Sequence, residues 1–184
     1  VIADNEAGIK PLDSKRLKLE LSRITKPVNV RVASNHVEVS LAREEDLGRI
    51  VDFLEHTIGK VLAIRRSRNI EAIGRDTLKV YEDLVVEERF WEAHEVLEST
   101  WRSATEDSER RKLKTLIKIA AAMAKAQEGS FEAAHFIARS LGDTIRGCLE
   151  EAIAKAWSGS YAGLLALKCA KLAAGAPSSH SPDG

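Results

Sequence analysis

The sequence is poor in several residue types that mark particular classes of protein. Its 184 residues include one glutamine, one methionine, four asparagines and two cysteines. Cys148 and Cys169 are too few for a disulfide framework or a zinc ribbon, so we expect two reduced and largely buried thiols. Glutamine, asparagine and methionine are thermolabile, and glutamate, lysine and arginine are abundant here. The composition therefore indicates a thermophile or a GC-rich genome.

The chain also lacks an excess of charge and a long apolar run. Its 28 basic and 28 acidic residues cancel, which argues against nucleic acid as a partner. No apolar run approaches the roughly 18 residues that a membrane span requires, and no basic-then-apolar secretion pattern is present at the N-terminus. We therefore expect a cytoplasmic protein, and its 44% hydrophobic content can build one sizeable core or two small ones.

Strict alternation of apolar and polar residues predicts a β-hairpin in the first third of the chain. The two alternating segments are VNVRVA (28–33) and HVEVSL (36–41), and the polar pair Ser34-Asn35 separates them. Alternation at a period of two places the valines of each segment on one face of a sheet. The two segments are therefore expected to form a hairpin with one apolar face.

Helices and strands on both sides of the hairpin complete a predicted α+β unit. Apolar residues at helical spacing predict one helix before the hairpin, at 17–24, and one after it, at 47–58. The segments VIA (1–3) and KVLAIR (60–65) are predicted strands. The order over residues 1–66 is then β-α-β-β-α-β, the ferredoxin-like arrangement.

The remainder of the chain is predicted to be helical. Residues 76–174 show helical periodicity interrupted by glycine and serine stops and caps, which indicates an all-α multi-helix bundle. Residues 67–75 are predicted to be a linker. The polar, turn-rich stretch 175–184 is predicted to be a disordered tail. The fold class is therefore α+β, with a ferredoxin-like domain followed by a helical domain.

The segment RFWEAHEVLESTWR (89–102) concentrates the side chains that carry chemistry. On a helical wheel at about 100° per residue, Phe90 and Trp101 lie in the buried stripe, and His94 lies inside it at about 40° from Phe90. Glu98 follows His94 at the i+4 position on the margin of the core. Glu95 points towards solvent or a partner surface. A buried polar group without a partner costs about 1–3 kcal/mol, so His94 and Glu98 need partners.

Two interpretations satisfy this need. In the structural one, Glu98 accepts a hydrogen bond from His94, and the pair links helices. In the functional one, both bind a divalent ion: the spacing H-E-x-x-E is similar to the zincin pattern H-E-x-x-H, in which the glutamate after the first histidine is the base. Glu95 would be that base, and Trp91 or Trp101 would wall the pocket.

A second histidine extends the functional interpretation. FWEAH (90–94) is echoed by FEAAH (131–135), which places His135 on the inward face of its own helix. If the two helices pack together, His94, Glu98 and His135 converge. Imidazole and carboxylate ligands of this kind suit Zn, Mn, Fe or Ni. The alternative is chance similarity between two alanine-rich helices.

The motif helix resembles a known family. FWEAHEVLESTW, followed by LIKIAAA and then QEGS, is similar to DUF309, a family of small helical proteins, over about residues 76–142. The resemblance implies an all-helical domain that places His94, Glu95, Glu98 and Trp101 together. It also implies the activity with which the family is often labelled, metal-dependent hydrolysis.

The chain departs from the family pattern at two places. The family tends to have glycine in the turn before the motif, where this chain reads Glu87-Glu88-Arg89. It often has a glutamine in the following helix, where this chain has Lys118. If that position shapes a polar pocket, Lys118 lines the pocket and changes its charge.

Three functions follow from these patterns. The first is an enzyme that hydrolyses a small substrate with the metal set described above. The second is a non-catalytic scaffold, or a ligand-binding or oligomerising protein, in which the His–Glu pair is structural and the sheet is able to pair subunits of a homo-oligomer. The third is RNA binding, which the hairpin argues against because it lacks the aromatic side chains on which RNA-binding sheets stack bases.

Overall fold

The computed structural model describes residues 1–65 and 76–175, apart from the side chain of Val28. The predicted linker, and the predicted tail beyond Gly175, lie outside the described residues. The strands are β1 (Ile2–Asp4), β2 (Pro27–Val32), β3 (His36–Leu41) and β4 (Val61–Ala63). The α-helices are α1 (Ser14–Leu21), α2 (Leu47–Thr57), α3 (Thr77–Val86), α4 (Phe90–Ser103), α5 (Asp107–Gln127), α6 (Phe131–Arg139), α7 (Asp143–Trp157) and α8 (Gly163–Ala174).

The four strands form one antiparallel sheet in the order β2-β3-β1-β4. Valines of β2 and β3 pair across the hairpin, Val30 with Val39 and Val32 with Val37. All four are at most 3% exposed, because they pack against apolar residues of α1 and α2. The predicted hairpin with one apolar face is confirmed.

The opposite face of the same hairpin is polar, yet it is also buried. Arg31 and Glu38 are directly paired in the β2–β3 register and are 3% and 7% exposed. The helical part of the chain covers them: Trp91 of α4 contacts the Arg31 guanidinium, and Glu128 at the end of α5 forms an ion pair with it. The sheet therefore has an apolar face towards α1 and α2 and a charged face towards the bundle.

The helices from α3 to α8 form a bundle with its own core. α5 is its central element and packs against α4, α6, α7 and α8. Small side chains on α5, such as Ala120, Ala122 and Ala124, are buried and permit close packing. The mixed class predicted from the sequence, a small sheet followed by a helical bundle, is confirmed. Among the helices of the described part, none has the length and apolar character that a membrane span requires.

The prediction of two reduced thiols is wrong in this structure. Cys148 of α7 and Cys169 of α8 form a disulfide, with their Cα atoms 5.7 Å apart. That separation lies within the range that a disulfide bridges. The two residues are 21 positions apart in sequence, and it is the packing of α7 against α8 that brings them together. A count of cysteines does not contain this information.

Candidate active site

α4 starts from a turn that is held on several sides. Glu88 in this turn has a φ of 57°, in the left-handed region that non-glycine residues rarely adopt. Its buried carboxylate accepts hydrogen bonds from the Ser34 amide at 2.8 Å and from the Ala162 amide at 2.6 Å. Its carbonyl accepts a hydrogen bond from the Gln127 side chain at 2.7 Å. The sheet, α5 and the α7–α8 loop therefore all fix the direction in which α4 begins.

The apolar side of α4 lies where the helical wheel predicts. Phe90, Ala93 and Leu97 are at most 1% exposed in the core of the bundle. Trp101 is half-buried and packs against the same core, with the Arg110 guanidinium 5.0 Å from its ring centre. Anchoring by these residues sets the orientation of the polar side chains on the rest of the helix.

Trp91 joins the motif helix to the sheet. The Arg31 guanidinium lies 4.6 Å from the centre of its ring, and the His94 ring stacks on it at 5.2 Å with an angle of 13° between the planes. A cation over a tryptophan ring is attracted by the negative face of the ring. Trp91 and His94 therefore have fixed positions relative to β2.

His94 is half-buried, and its surroundings favour the neutral form of the imidazole. Burial lowers the pKa of its imidazole, and the nearby Glu98 carboxylate opposes this only in part. Its Nδ1 atom is buried without a hydrogen-bond partner among the described residues. Glu98 instead accepts a hydrogen bond from Arg102 at 2.9 Å. Within the described residues, the hydrogen bond predicted between His94 and Glu98 is therefore not formed.

Glu95 lies in the wall of a groove with a volume of about 1210 Å³. β3 contributes Glu38 and Val39 to this groove, α3 contributes Val80 and Leu84, and α4 contributes Trp91, Glu92 and Glu95. The groove is thus enclosed by the sheet on one side and by the bundle on the other. We call it the interdomain groove.

The environment of Glu95 favours its protonated form. Burial is the main cause that raises the pKa of this carboxyl, and Glu92 and Glu98 add to the effect. A hydrogen bond from Trp91 and the charge of Arg31 oppose it in part. A carboxyl group with a raised pKa in a groove is suited to proton transfer nearer to neutral pH than an exposed glutamate.

The arginines of the groove wall that the structure describes all have carboxylate partners. Arg31 lies 3.8 Å from Glu38, in addition to its ion pair with Glu128. Arg89 donates from Nε to Glu92 at 2.8 Å, and Arg65 lies 3.6 Å from the same carboxylate. Arg43 pairs with the exposed Glu45, with 3.2 Å between Nη1 and Oε1. These pairs neutralise the positive charge along the walls.

The helical part of the chain matches a known family. Residues 78–136 match the model described as Domain of unknown function (DUF309). The resemblance predicted from the motif is confirmed for the C-terminal part of the chain. The DUF309 match runs from α3 into α6 and includes all of α4, whereas the sheet lies outside it. No curated protein and no solved structure matches the chain.

The DUF309 resemblance implies a metal, and the positions of the described side chains bear on which residues could hold it. In residues 1–65 and 76–175, no three His, Cys, Asp or Glu side chains are grouped so that they could hold a metal ion. His94, Glu98 and His135 therefore do not converge. The physical reason is that α4 and α6 each pack against α5 rather than against each other. The Nδ1 atom of His94 has no hydrogen-bond partner among the described residues, but one potential ligand atom does not make a metal site.

The predicted pocket residues separate into two groups. Trp91 and Glu95 line the interdomain groove. Lys118 does not: its ammonium group donates to the Ser140 hydroxyl at 2.9 Å, at the far end of α6. Trp101 packs towards Arg110. The roles assigned to these residues from the DUF309 pattern stay predictions.

Sequence reasoning missed the contribution of the sheet to the groove. Arg31 and Glu38 occupy the polar positions of the alternating hairpin, which a single sequence assigns to solvent. Their opposite charges could have predicted the ion pair. In a hairpin with a two-residue turn, the register places these two residues opposite each other on neighbouring strands. Nothing in the hairpin sequence indicates that the helical bundle covers this polar face.

Proposed function

We propose that the protein is a hydrolase for a small molecule, with the interdomain groove as its active site and Glu95 as the group that transfers protons. The observation that carries the proposal is the position of the Glu95 carboxyl in the groove wall, with its pKa raised by burial. A groove with a few convergent polar groups and a perturbed acid is the usual form of an enzyme site.

Glu95 would alternate between two protonation states during such a reaction. As an acid it would donate its proton to a leaving group in the groove, and as a base it would take a proton from an attacking water. Trp91 would hold the carboxyl in place through its hydrogen bond. The adjacent imidazole of His94, whose neutral form is favoured by burial, stacks on Trp91 and would limit rotation of that ring.

This mechanism assigns no step to a metal ion, because the donor groups of the described residues do not form a ligand set. Metal-dependent hydrolysis with His94, Glu98 and His135 as ligands stays a prediction from the sequence and from the DUF309 resemblance. It is tested by the metal content of tag-free protein, measured by mass spectrometry for wild type, His94→Ala and Glu98→Ala. Near-stoichiometric Zn, Mn, Fe or Ni in the wild type, lost in the folded variants, would establish it.

The activity itself is tested with chromogenic p-nitrophenyl esters of acetate, butyrate and phosphate. We expect Glu95→Gln to lower kcat/KM for the hydrolysed ester by about 100-fold or more, which is the usual contribution of a general acid or base. Glu109→Gln is the matched control, because Glu109 is an exposed residue in the first turn of α5. Equal activity of Glu95→Gln and wild type would refute the role of Glu95.

A non-catalytic ligand-binding function is the second candidate, and one observation favours it. The groove is walled by the sheet and the bundle together, so a bound molecule would contact both. We infer a ferredoxin-like arrangement for the sheet unit, supported by the strand order β2-β3-β1-β4 and by the helices between β1 and β2 and between β3 and β4. Binding without turnover of any ester would favour this candidate.

A further inference from the structure

Among the charged side chains of the interdomain groove that the structure describes, the Glu95 carboxylate has no ion-pair partner. Each arginine of the described lining has a carboxylate within ion-pair distance. Glu92 is shared by Arg65 and Arg89, and Glu38 lies beside Arg31. Glu95 has no ion pair with any described residue. The positive charge that acts on it is that of Arg31, which is already engaged with Glu38 and Glu128.

The Glu95 carboxylate is therefore incompletely compensated when it is ionised. Trp91 supplies one hydrogen bond, and a carboxylate accepts several. Its neighbours on α4 in both directions are the acidic Glu92 and Glu98, which add negative potential. A group with a positive charge and two or more N–H donors would both neutralise the carboxylate and donate the missing hydrogen bonds. Such charge-assisted hydrogen bonds are stronger than neutral ones.

The remaining lining restricts the rest of such a molecule. Leu41, Ile64, Val80 and Leu84 give the groove an apolar part alongside the charged one. An aliphatic or aromatic body would bury its surface there, which is favourable in proportion to the apolar area removed from water. An anionic ligand would face Glu38, Glu92 and Glu95, while the arginines of the described lining are already paired.

We infer that the interdomain groove binds small molecules that carry a protonated nitrogen, an ammonium or amidinium group on an apolar body, with Glu95 as the counter-ion. This inference rests on the groove being the site of the proposed function and names its substrate class. Hydrolysis would then take place at a bond beside the cationic nitrogen, so that the carboxylate that binds the nitrogen is also within reach of the bond that is cleaved.

Three probes of nearly equal shape and different charge test the substrate class. Benzamidine is cationic, benzamide is neutral and benzoate is anionic, and each is titrated into the full chain by calorimetry at neutral pH. We expect benzamidine to bind at least about tenfold more tightly than the other two, as one charge-assisted hydrogen-bonded pair would provide. We expect Glu95→Gln to lose that preference, and Glu109→Gln to keep it.

The outcomes separate this inference from the proposed function. Tighter binding of benzoate or benzamide, no binding of benzamidine, or unchanged benzamidine binding in Glu95→Gln would each overturn the substrate class. Because the titration involves no turnover, it is independent of the ester assay. Loss of benzamidine preference in a folded Glu95→Gln variant, combined with an absence of hydrolysis by wild type of both the simple p-nitrophenyl esters and a p-nitrophenyl ester that carries an amidinium group, would uphold the ligand class and refute the hydrolase. The melting curve of each variant shows that it is folded.

Discussion

Glu88 accepts two hydrogen bonds from Ser34, one from the amide at 2.8 Å and one from the hydroxyl at 2.5 Å. The two residues are 54 positions apart, and the bonds connect the turn before α4 to the turn between β2 and β3. Glu88 also occupies the left-handed backbone position of a turn in which the DUF309 pattern tends to have glycine. The hydrogen bonds of its carboxylate explain why a residue with a strained φ is found there.

Substitutions at Glu88 are expected to separate backbone strain from hydrogen bonding. Glu88→Ala keeps the strained φ and removes the buried acceptor, so it is expected to lower the free energy of unfolding by about 2–3 kcal/mol. Glu88→Gly removes the acceptor but relieves the strain, and is expected to be about 1 kcal/mol more stable than Glu88→Ala. Urea unfolding measures both values. A glycine variant as stable as wild type would show that the carboxylate contributes no more than the backbone strain that glycine relieves.

Local patterns in the sequence were sufficient to predict the strands and helices and the apolar face of each. Alternation in 28–33 and 36–41 predicted the hairpin, because a period of two matches the pleat of a strand and not the 3.6-residue turn of a helix. The helical wheel predicted the buried face of α4. Phe90, Ala93 and Leu97 recur at helical spacing, so they lie on the same side of the helix, and all three are buried. The DUF309 motif also identified the helix that carries Glu95.

Long-range packing determined what local patterns did not predict. The groove exists because a bundle covers the polar face of a hairpin, and neither Arg31 nor Glu38 carries a local sign of that burial. The predicted meeting of His94 with His135 depended on α4 packing against α6, whereas both pack against α5. The disulfide likewise depends on the pairing of α7 with α8. Each is a property of how elements pack, which the period of a single segment does not encode.

Ionised Glu95 is expected to destabilise the native state. Its pKa in the folded chain is raised above the ordinary value of 4.5, so the native state binds this proton more tightly than the unfolded state does. This loss of stability is absent below pH 4.5 and develops as the pH rises through the pKa of Glu95 in the folded chain. Glu95→Gln is therefore expected to be more stable than wild type at neutral pH and equally stable in acid.

Urea midpoints for wild type and Glu95→Gln, compared in acid and at neutral pH, measure this effect. A functional residue often destabilises the native state, and its substitution then increases the free energy of unfolding. The Glu109→Gln variant provides the comparison for loss of an exposed carboxylate. If Glu95→Gln is the less stable protein at neutral pH, ionised Glu95 has a favourable partner, and its assignment as the uncompensated charge is wrong.

Arg31 is expected to be essential for the interface between the sheet and the bundle. Removing one partner of a buried ion pair leaves the other charge uncompensated and typically costs about 3–5 kcal/mol. Arg31→Met would leave Glu38 buried without its guanidinium, while Glu128 would keep its ion pair with Lys125, so we expect a loss at the lower end of this range in urea unfolding. Arg31→Lys retains the charge but not the stacked planar group over Trp91, and should lose less.

The same variants test the electrostatic link between the sheet and the site. Because the charge of Arg31 lowers the pKa of Glu95 in part, Arg31→Met is expected to raise that pKa further, and Arg31→Lys to leave it nearer to the wild-type value. Carbon-13 NMR titration of the glutamate side chains provides the measurement. A Glu95 titration that is unchanged in folded Arg31→Met would show that the sheet contributes to the groove by shape only.

The disulfide between Cys148 and Cys169 is expected to stabilise the α7–α8 pair. Closing a loop of 21 positions restricts the unfolded chain and is worth about 3 kcal/mol by loop entropy. Added reductant should therefore lower the melting temperature, while Cys169→Ala should melt at the lower temperature with or without reductant. Thiol titration of the denatured, unreduced wild type should detect no free thiol. Two reactive thiols per chain in that sample would mean that the bridge does not form, and would restore the prediction of reduced, buried cysteines.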